Sequence, residues 1–276
     1  MSRISKLFQG TPLGAGGYGI LNIYCTAGFP QFESTLEVMQ ALAENGADIV
    51  EIGMPYSDPL ADGPVIQHSS TVALKNGLTI KKLFDQLRNL RKSPSFGGVG
   101  EALGVLLMGY INPVLQYGFE KFCADAAAVG IDGLIIPDLP EYEFETEYGA
   151  IIKKYDLDFI FLVTPETSEE RVRKLDSLSS GFLYAVSSSS TTGRDKNMTD
   201  VKAYLQKLQQ MKLKNPVLVG FGIKDKESFE AACLNASGAI IGSAYIKALS
   251  QPGSIADNTR KFLENIKGIY AYRRDA

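Results

Sequence analysis

The chain alternates short runs of apolar, often β-branched residues with stretches in which apolar positions recur every three or four residues. Gly19 to Cys25 reads as a strand, and Phe32, Leu36, Met39 and Ala43 then share one helical face that stops at Gly46. Ala47 to Gly53 predicts a second strand. A long loop follows, then a helix over Val65 to Lys75 stopped by Asn76 and Gly77, and an extra helix with Ile80, Leu83, Phe84, Leu87 and Leu90 on one face. Ser93 to Gly100, rich in Ser, Gly and Pro, reads as an exposed connection into a third strand at Gly104 to Gly109. Further strands are predicted at Gly133 to Pro137, Phe159 to Val163, Phe182 to Val186, Pro216 to Gly220 and Gly238 to Ile241. Helices are predicted between them at Phe119 to Val129, Glu143 to Tyr155, Ser168 to Leu175, Asp200 to Met211 and Lys226 to Leu234. Thr167 and Glu170 have the spacing of a capping box.

Strands that do not alternate strictly in polarity are buried on both faces, which argues an α/β fold with a parallel sheet covered by helices. Eight strand-and-helix units suggest closure into a (β/α)8 TIM barrel, a single domain over residues 1–276 with extra helices. An open doubly wound sheet is the competing fold. Its dinucleotide-binding form is disfavoured because the first turn, Thr26 to Phe32, lacks a G-x-G-x-x-G fingerprint.

Composition narrows the classes. A chain of 276 residues, 45% hydrophobic and 21% charged, can bury a sizeable core, and its net charge of −3 gives no footprint for nucleic acid or an anionic membrane. No stretch approaches the roughly 20 apolar residues of a membrane span, and the first ten residues lack the apolar core of a secretory signal, so the expected compartment is the cytoplasm. Cys25, Cys123 and Cys233 are too scattered for a metal cluster and odd in number for a disulfide framework. His68 stands alone, as a helix-surface or a functional residue.

Candidate chemistry gathers in EIGMPYSDPLADGP, Glu51 to Pro64. It places one carboxylate at the end of a buried strand and a second, Asp62, on a loop stiffened by Pro55, Pro59 and Pro64. A salt-bridged Glu and a turn Asp would be the plain alternative. The loop is longer than the usual two to six residues, however, which suits a ligand site or lid. In a barrel the loops after the strands converge on one mouth, which collects Glu51, Asp62, Asn112, Asp138, Thr164, Tyr184, Gly193, Gly222, Gly242 and Ser243. The seventh and eighth strands end in Gly220 to Gly222 and Ile241 to Ser243, where missing side chains open backbone N–H groups to an anion and a helix starting at Gly242 would aim its positive end. This reads as a phosphate site. Turn glycines without a ligand are the alternative. No Lys or Arg lies within the two motifs.

The Glu51 to Pro64 segment resembles the signature of the tryptophan synthase α subunit family at every fixed position, and the likeness continues from Thr26 through the GYINP, IPDLP and GFGI motifs to Ala244. It implies retro-aldol cleavage of indole-3-glycerol phosphate to indole and glyceraldehyde 3-phosphate, with no cofactor or metal in this chain. Glu51 would be the general acid/base, Asp62 would accept the indole N–H, and Tyr184 would support Glu51 or the glycerol chain. Tyr24, where the family often carries Phe, would line the indole pocket, or serve as a plain core aromatic. Ser187 to Lys196 is similar to the family's closing loop and brings Gly193 to the phosphate; Ser188 and Ser190 depart from the usual pattern while Thr192 and Gly193 keep it. A flexible Ser-rich loop is the alternative there. The resemblance also implies an α2β2 complex in which a β subunit carries pyridoxal phosphate. Pro55 to Asp58, Asn112 with Pro113, and Asp138 to Glu141 are the candidate partner surfaces, and Asp138 orders loops or faces the partner. Two other readings stay open: a stand-alone lyase, and a catalytically silent regulatory subunit.

Overall fold

The computed structural model describes residues 1–9, 19–91, 102–186, 198–220 and 222–267. The predicted loops at Ser93 to Gly100 and Ser187 to Lys196, Gly193 included, lie outside these residues.

The strands are β1 (Ile20–Thr26), β2 (Ile49–Gly53), β3 (Gly104–Met108), β4 (Gly133–Ile135), β5 (Asp158–Phe159), β6 (Leu162–Val163), β7 (Leu183–Val186), β8 (Val217–Gly220) and β9 (Gly238–Ile241). They run β5-β4-β3-β2-β1-β9-β8-β7-β6, and every pair is parallel. The first strand pairs with the last, Ile20 opposite Gly238, which an open doubly wound sheet does not do. The ring is completed through the fifth predicted strand, divided here into β5 and β6. Ile160 N–H donates to Leu134 O at 3.1 Å and Tyr184 N–H donates to Phe161 O at 3.0 Å, so successive residues bond to opposite neighbours. The fold is an α/β (β/α)8 barrel.

Two apolar layers explain why the strands show no clean alternation. Inward residues Ile20, Ile49, Leu106, Ile135, Ile160, Phe182, Leu218 and Ile240 fill the barrel, while the opposite faces pack under the helices. The floor is closed by a short helix, Arg3–Leu7, which the sequence reading did not predict. Ser2 caps it by accepting from Ser5 N–H at 3.1 Å, and Ile4 is completely buried against the barrel. Arg3 beside it reaches the buried carboxylate of Asp132, which also accepts from Arg91 Nη2 at 2.7 Å and Val105 N–H at 2.8 Å. Asp132→Ala removes the acceptor shared by two guanidinium groups and a strand N–H. It should cost about 3 kcal/mol in urea unfolding.

Two further helices were not predicted, Ile111–Tyr117 after β3 and Ile255–Lys267 at the end of the described chain, the latter packing on Ser34–Glu44. The helix predicted from Glu143 starts at Glu141 and contains a π-helical turn, Phe144–Tyr148. The capping box expected at Thr167 is corrected. Ser168 is the cap, accepting from Arg171 N–H at 3.3 Å, because Thr167 turns its hydroxyl back to accept from Thr164 N–H at 3.0 Å.

Candidate active site

A cavity of about 810 Å³ opens among the loops that follow the C-terminal ends of the strands, a size suited to a small organic substrate. Tyr24 and Tyr184 line it with Asp62 and Thr164, and Gly222, Gly242 and Ser243 line it too. Six of the ten residues that the sequence gathers at the mouth therefore share one space, together with Tyr24. Gly193 is outside the described residues, and Glu51 is placed differently from the expectation.

Glu51 is not at the end of its strand but third of five in β2, opposite Tyr24 of β1 and Leu106 of β3. Strand alternation turns it into the barrel with Ile49, and its side chain is wholly buried. Its carboxyl is not part of the cavity wall. Oε1 accepts from Asn22 Nδ2 at 2.5 Å, whereas Oε2 has no hydrogen-bond partner. Burial pushes the Glu51 pKa up to about 8, with the Asn22 N–H pulling the other way. At neutral pH this is a protonated carboxylic acid under the cavity. Tyr24 and Tyr184 lie close enough to Glu51 for its charge to add to burial in raising their hydroxyl pKa values. No hydrogen bond joins Tyr184 to Glu51 among the described residues.

Asp62 stands on the cavity wall, half-buried. Its Oδ2 accepts from the Tyr110 hydroxyl at 3.1 Å, and that hydroxyl in turn accepts from Ala61 N–H at 3.0 Å. Burial raises the Asp62 pKa from the ordinary carboxylate range and the Tyr110 bond opposes it. The loop is tied down on both sides: Met54 N–H donates to Met108 O at 2.7 Å, and the Tyr56 ring lies 5.3 Å from that of Tyr110. Gly53 is required here, since a Cβ would lie 2.0 Å from the Tyr24 hydroxyl. The prolines and glycines of the signature thus hold an acid at a fixed place.

Gly222, Gly242 and Ser243 line the same cavity. Gly222 has φ +39° with open space where a Cβ would point, and the helix Ser243–Leu249 begins at Gly242. The sequence reading missed Lys247, one turn along that helix from Ser243 and on the same wall. Its signal was the i,i+4 spacing from a residue already singled out. Asn112 and Asp138 are exposed and do not line the cavity. Asp138 Oδ1 accepts from Ile111 N–H at 2.9 Å and so orders the start of a helix, and Asn112 Nδ2 donates to the Tyr56 hydroxyl at 3.3 Å. His68 is exposed. Among the described residues no group of three His, Cys, Asp or Glu could hold a metal ion.

Comparison with known proteins bears on the family and the fold. The sequence profile of the family described as tryptophan synthase alpha chain matches residues 17–272. Relatives bearing that name include one from Parabacteroides distasonis, 46% identical over 97% of this chain and 100% of the relative. Another, from Flavobacterium johnsoniae, is 52% identical over 85% of this chain and 90% of the relative. Among solved structures, tryptophan synthase subunit alpha from Legionella pneumophila superposes with a TM-score of 0.85 at 32% identity, covering 97% of both chains. A ligand-free tryptophan synthase from M. tuberculosis gives 0.81 at 30% identity, covering 97% of this chain and 98% of that one.

Proposed function

Since the chain belongs to the tryptophan synthase alpha chain family, we propose that its cavity cleaves indole-3-glycerol phosphate with Glu51 as general acid and base and Asp62 as the acceptor of the indole N–H. The chain is a lyase of tryptophan biosynthesis. The observation that carries the residue assignment is a fully buried carboxyl, its pKa raised by burial, next to a cavity whose wall holds a second, hydrogen-bonded carboxylate. Glu51 gives its proton to C3 of the indole. Asp62 then faces the positive charge that develops on the ring. The bond from C3 to the glycerol chain breaks with its electrons returning to the ring, and the adjacent hydroxyl becomes the aldehyde as Glu51, now a carboxylate, takes its proton. One carboxyl thus closes the proton cycle. Tyr24 supplies a face for the indole, and Tyr184 borders the glycerol chain.

The phosphate is read into the wall of Gly222, Gly242 and Ser243; Gly193, expected there from the sequence, lies outside the described residues. Lys247 adds a cation to backbone dipoles. Because it binds a group that does not react, Lys247→Ala should raise KM about fivefold with kcat unchanged in steady-state assays.

The partner is a β subunit in an α2β2 complex, and pyridoxal phosphate belongs to that subunit. Leu60 (85% exposed), Leu115 and Tyr142 are large apolar side chains on the surface, each within a few residues of a segment expected to meet the partner. The proposed compartment is the cytoplasm; among the described residues no helix is long and apolar enough to cross a membrane. The test is indole release from indole-3-glycerol phosphate by the purified chain, alone and with a β subunit added. Slow release that rises severalfold with the partner supports the subunit reading. Fast release without it points to a stand-alone lyase, and none in either case leaves a regulatory subunit.

A further inference from the structure

On β1 the inward positions are Ile20, Asn22 and Tyr24, flanked on β2 by Ile49 and Glu51. Asn22 is a wholly buried amide among Ile20, Ile49 and Ile240, a place where an apolar side chain would be cheaper. Its Nδ2 donates to Glu51 Oε1 at 2.5 Å, and both its own Oδ1 and Glu51 Oε2 are buried without a partner. The N–H holds Oε1 as an acceptor, and Oε2 is the carboxyl oxygen without a protein partner. The carboxamide and the carboxyl are both flat and two-pronged, and only one prong of each is engaged.

We propose that Asn22 is a positioning residue for Glu51: its N–H holds Oε1 and so sets the orientation of the carboxyl, while Oε2 has no protein partner. The proposal rests on the reading of Glu51 as the general acid. When the carboxyl gives up its proton to the indole carbon, the Asn22 N–H becomes a charge-assisted donor to the carboxylate left behind, and it relaxes again when the glycerol hydroxyl returns a proton. Asn22 therefore acts most strongly at the moment of transfer, without touching the substrate.

Tyr24 on β1 and Tyr184 on β7 share the barrel interior with Glu51. Cys25 lies on the other face of β1 within reach of the Glu51 charge, and Asp62 acts on both tyrosines from the loop. Burial pushes the Cys25 thiol up to about 12 and raises both phenols, so these stay neutral where Glu51 titrates. Burial raises the Asp62 pKa as well, with the Tyr110 hydrogen bond opposing it.

The experiment is single-turnover indole release by the full chain between pH 6 and pH 10, for wild type, Asn22→Leu, Asn22→Asp and Glu51→Gln. Wild type should lose activity as pH rises past the Glu51 titration. Asn22→Leu removes a donor to the anion, so its rate should fall about tenfold or more at pH 7 while its alkaline limb moves up by about one pH unit, with KM for the substrate little changed. Asn22→Asp, nearest in shape should the Leu variant fail to fold, places a second acid beside the first and should move the limb the same way. Variants that lose stability but keep the wild-type limb overturn the proposal, since packing alone moves no titration. A limb that persists in Glu51→Gln overturns the Glu51 reading itself, and this proposal with it.

Discussion

Glu51→Gln should reduce kcat for indole release by about a thousandfold at pH 7, and should at the same time make the protein harder to unfold. The loss follows from chemistry: an amide neither gives a proton to carbon nor takes one from a hydroxyl, and positioned acid–base groups contribute about 10²–10⁴ in rate. The gain follows from burial. Glu51 titrates near 4.5 when exposed and near 8 in the folded protein, so the folded state holds a proton that the unfolded chain has released. Below pH 4.5 the carboxyl is neutral in both states and exacts no pH-dependent cost. As pH rises from there to about 8, wild-type stability should fall by roughly 1 kcal/mol per pH unit, and above 8 the buried anion bears the full penalty. The variant lacks this slope, and its amide can both accept from Asn22 Nδ2 and donate to Asn22 Oδ1, atoms now half satisfied. Urea unfolding at pH 5, 7 and 8.5 checks this: the advantage of Glu51→Gln should widen with pH. An advantage that is constant or reversed would mean that the carboxyl is charged in the folded state.

Asp62→Asn should lower kcat about a hundredfold while leaving KM within about threefold. The amide keeps an oxygen for the indole N–H, so ground-state binding survives. The negative charge that opposes the developing positive ring is lost, and that interaction exists only in the transition state. The pH dependence carries the second half of the prediction. Asp62 must be ionised to act, and burial has raised its pKa against the opposing Tyr110 hydrogen bond. Wild-type activity should therefore fall on the acid side as Asp62 takes up a proton, and this limb should vanish in Asp62→Asn. In Tyr110→Phe, which removes a donor to the carboxylate, the limb should move to higher pH.

The strand pattern was legible because parallel strands buried on both faces leave long apolar runs that helices interrupt at regular distances. Closure was inferred from counting and is seen in the pairing of Ile20 with Gly238. The missed helices had physical reasons to hide. Arg3–Leu7 is five residues, too short to show a period, and Ile111–Tyr117 carries Pro113, which reads as a breaker although the first turn of a helix has no need of that N–H. Ile255–Lys267 does have apolar residues at helical spacing, and Leu263 and Ile266 are buried, so its signal was present. In the site, the place of Asp62 on a loop at the mouth was readable, since prolines and glycines fix a backbone locally. The depth of Glu51 was not readable, because it depends on register between strands distant in sequence. Asn22 was hidden for the same reason: a polar residue in an apolar run signifies little until alternation puts it beside Glu51.

The proposed mechanism needs a neutral carboxyl that donates its proton, and the pH dependence of single-turnover indole release in wild type against Glu51→Gln addresses that directly. It predicts that the wild-type rate holds up to about pH 8 and then drops about tenfold per pH unit, while Glu51→Gln shows a small residual rate without that drop. A wild-type rate that stays level through pH 9, or a variant that keeps the full rate, would contradict it.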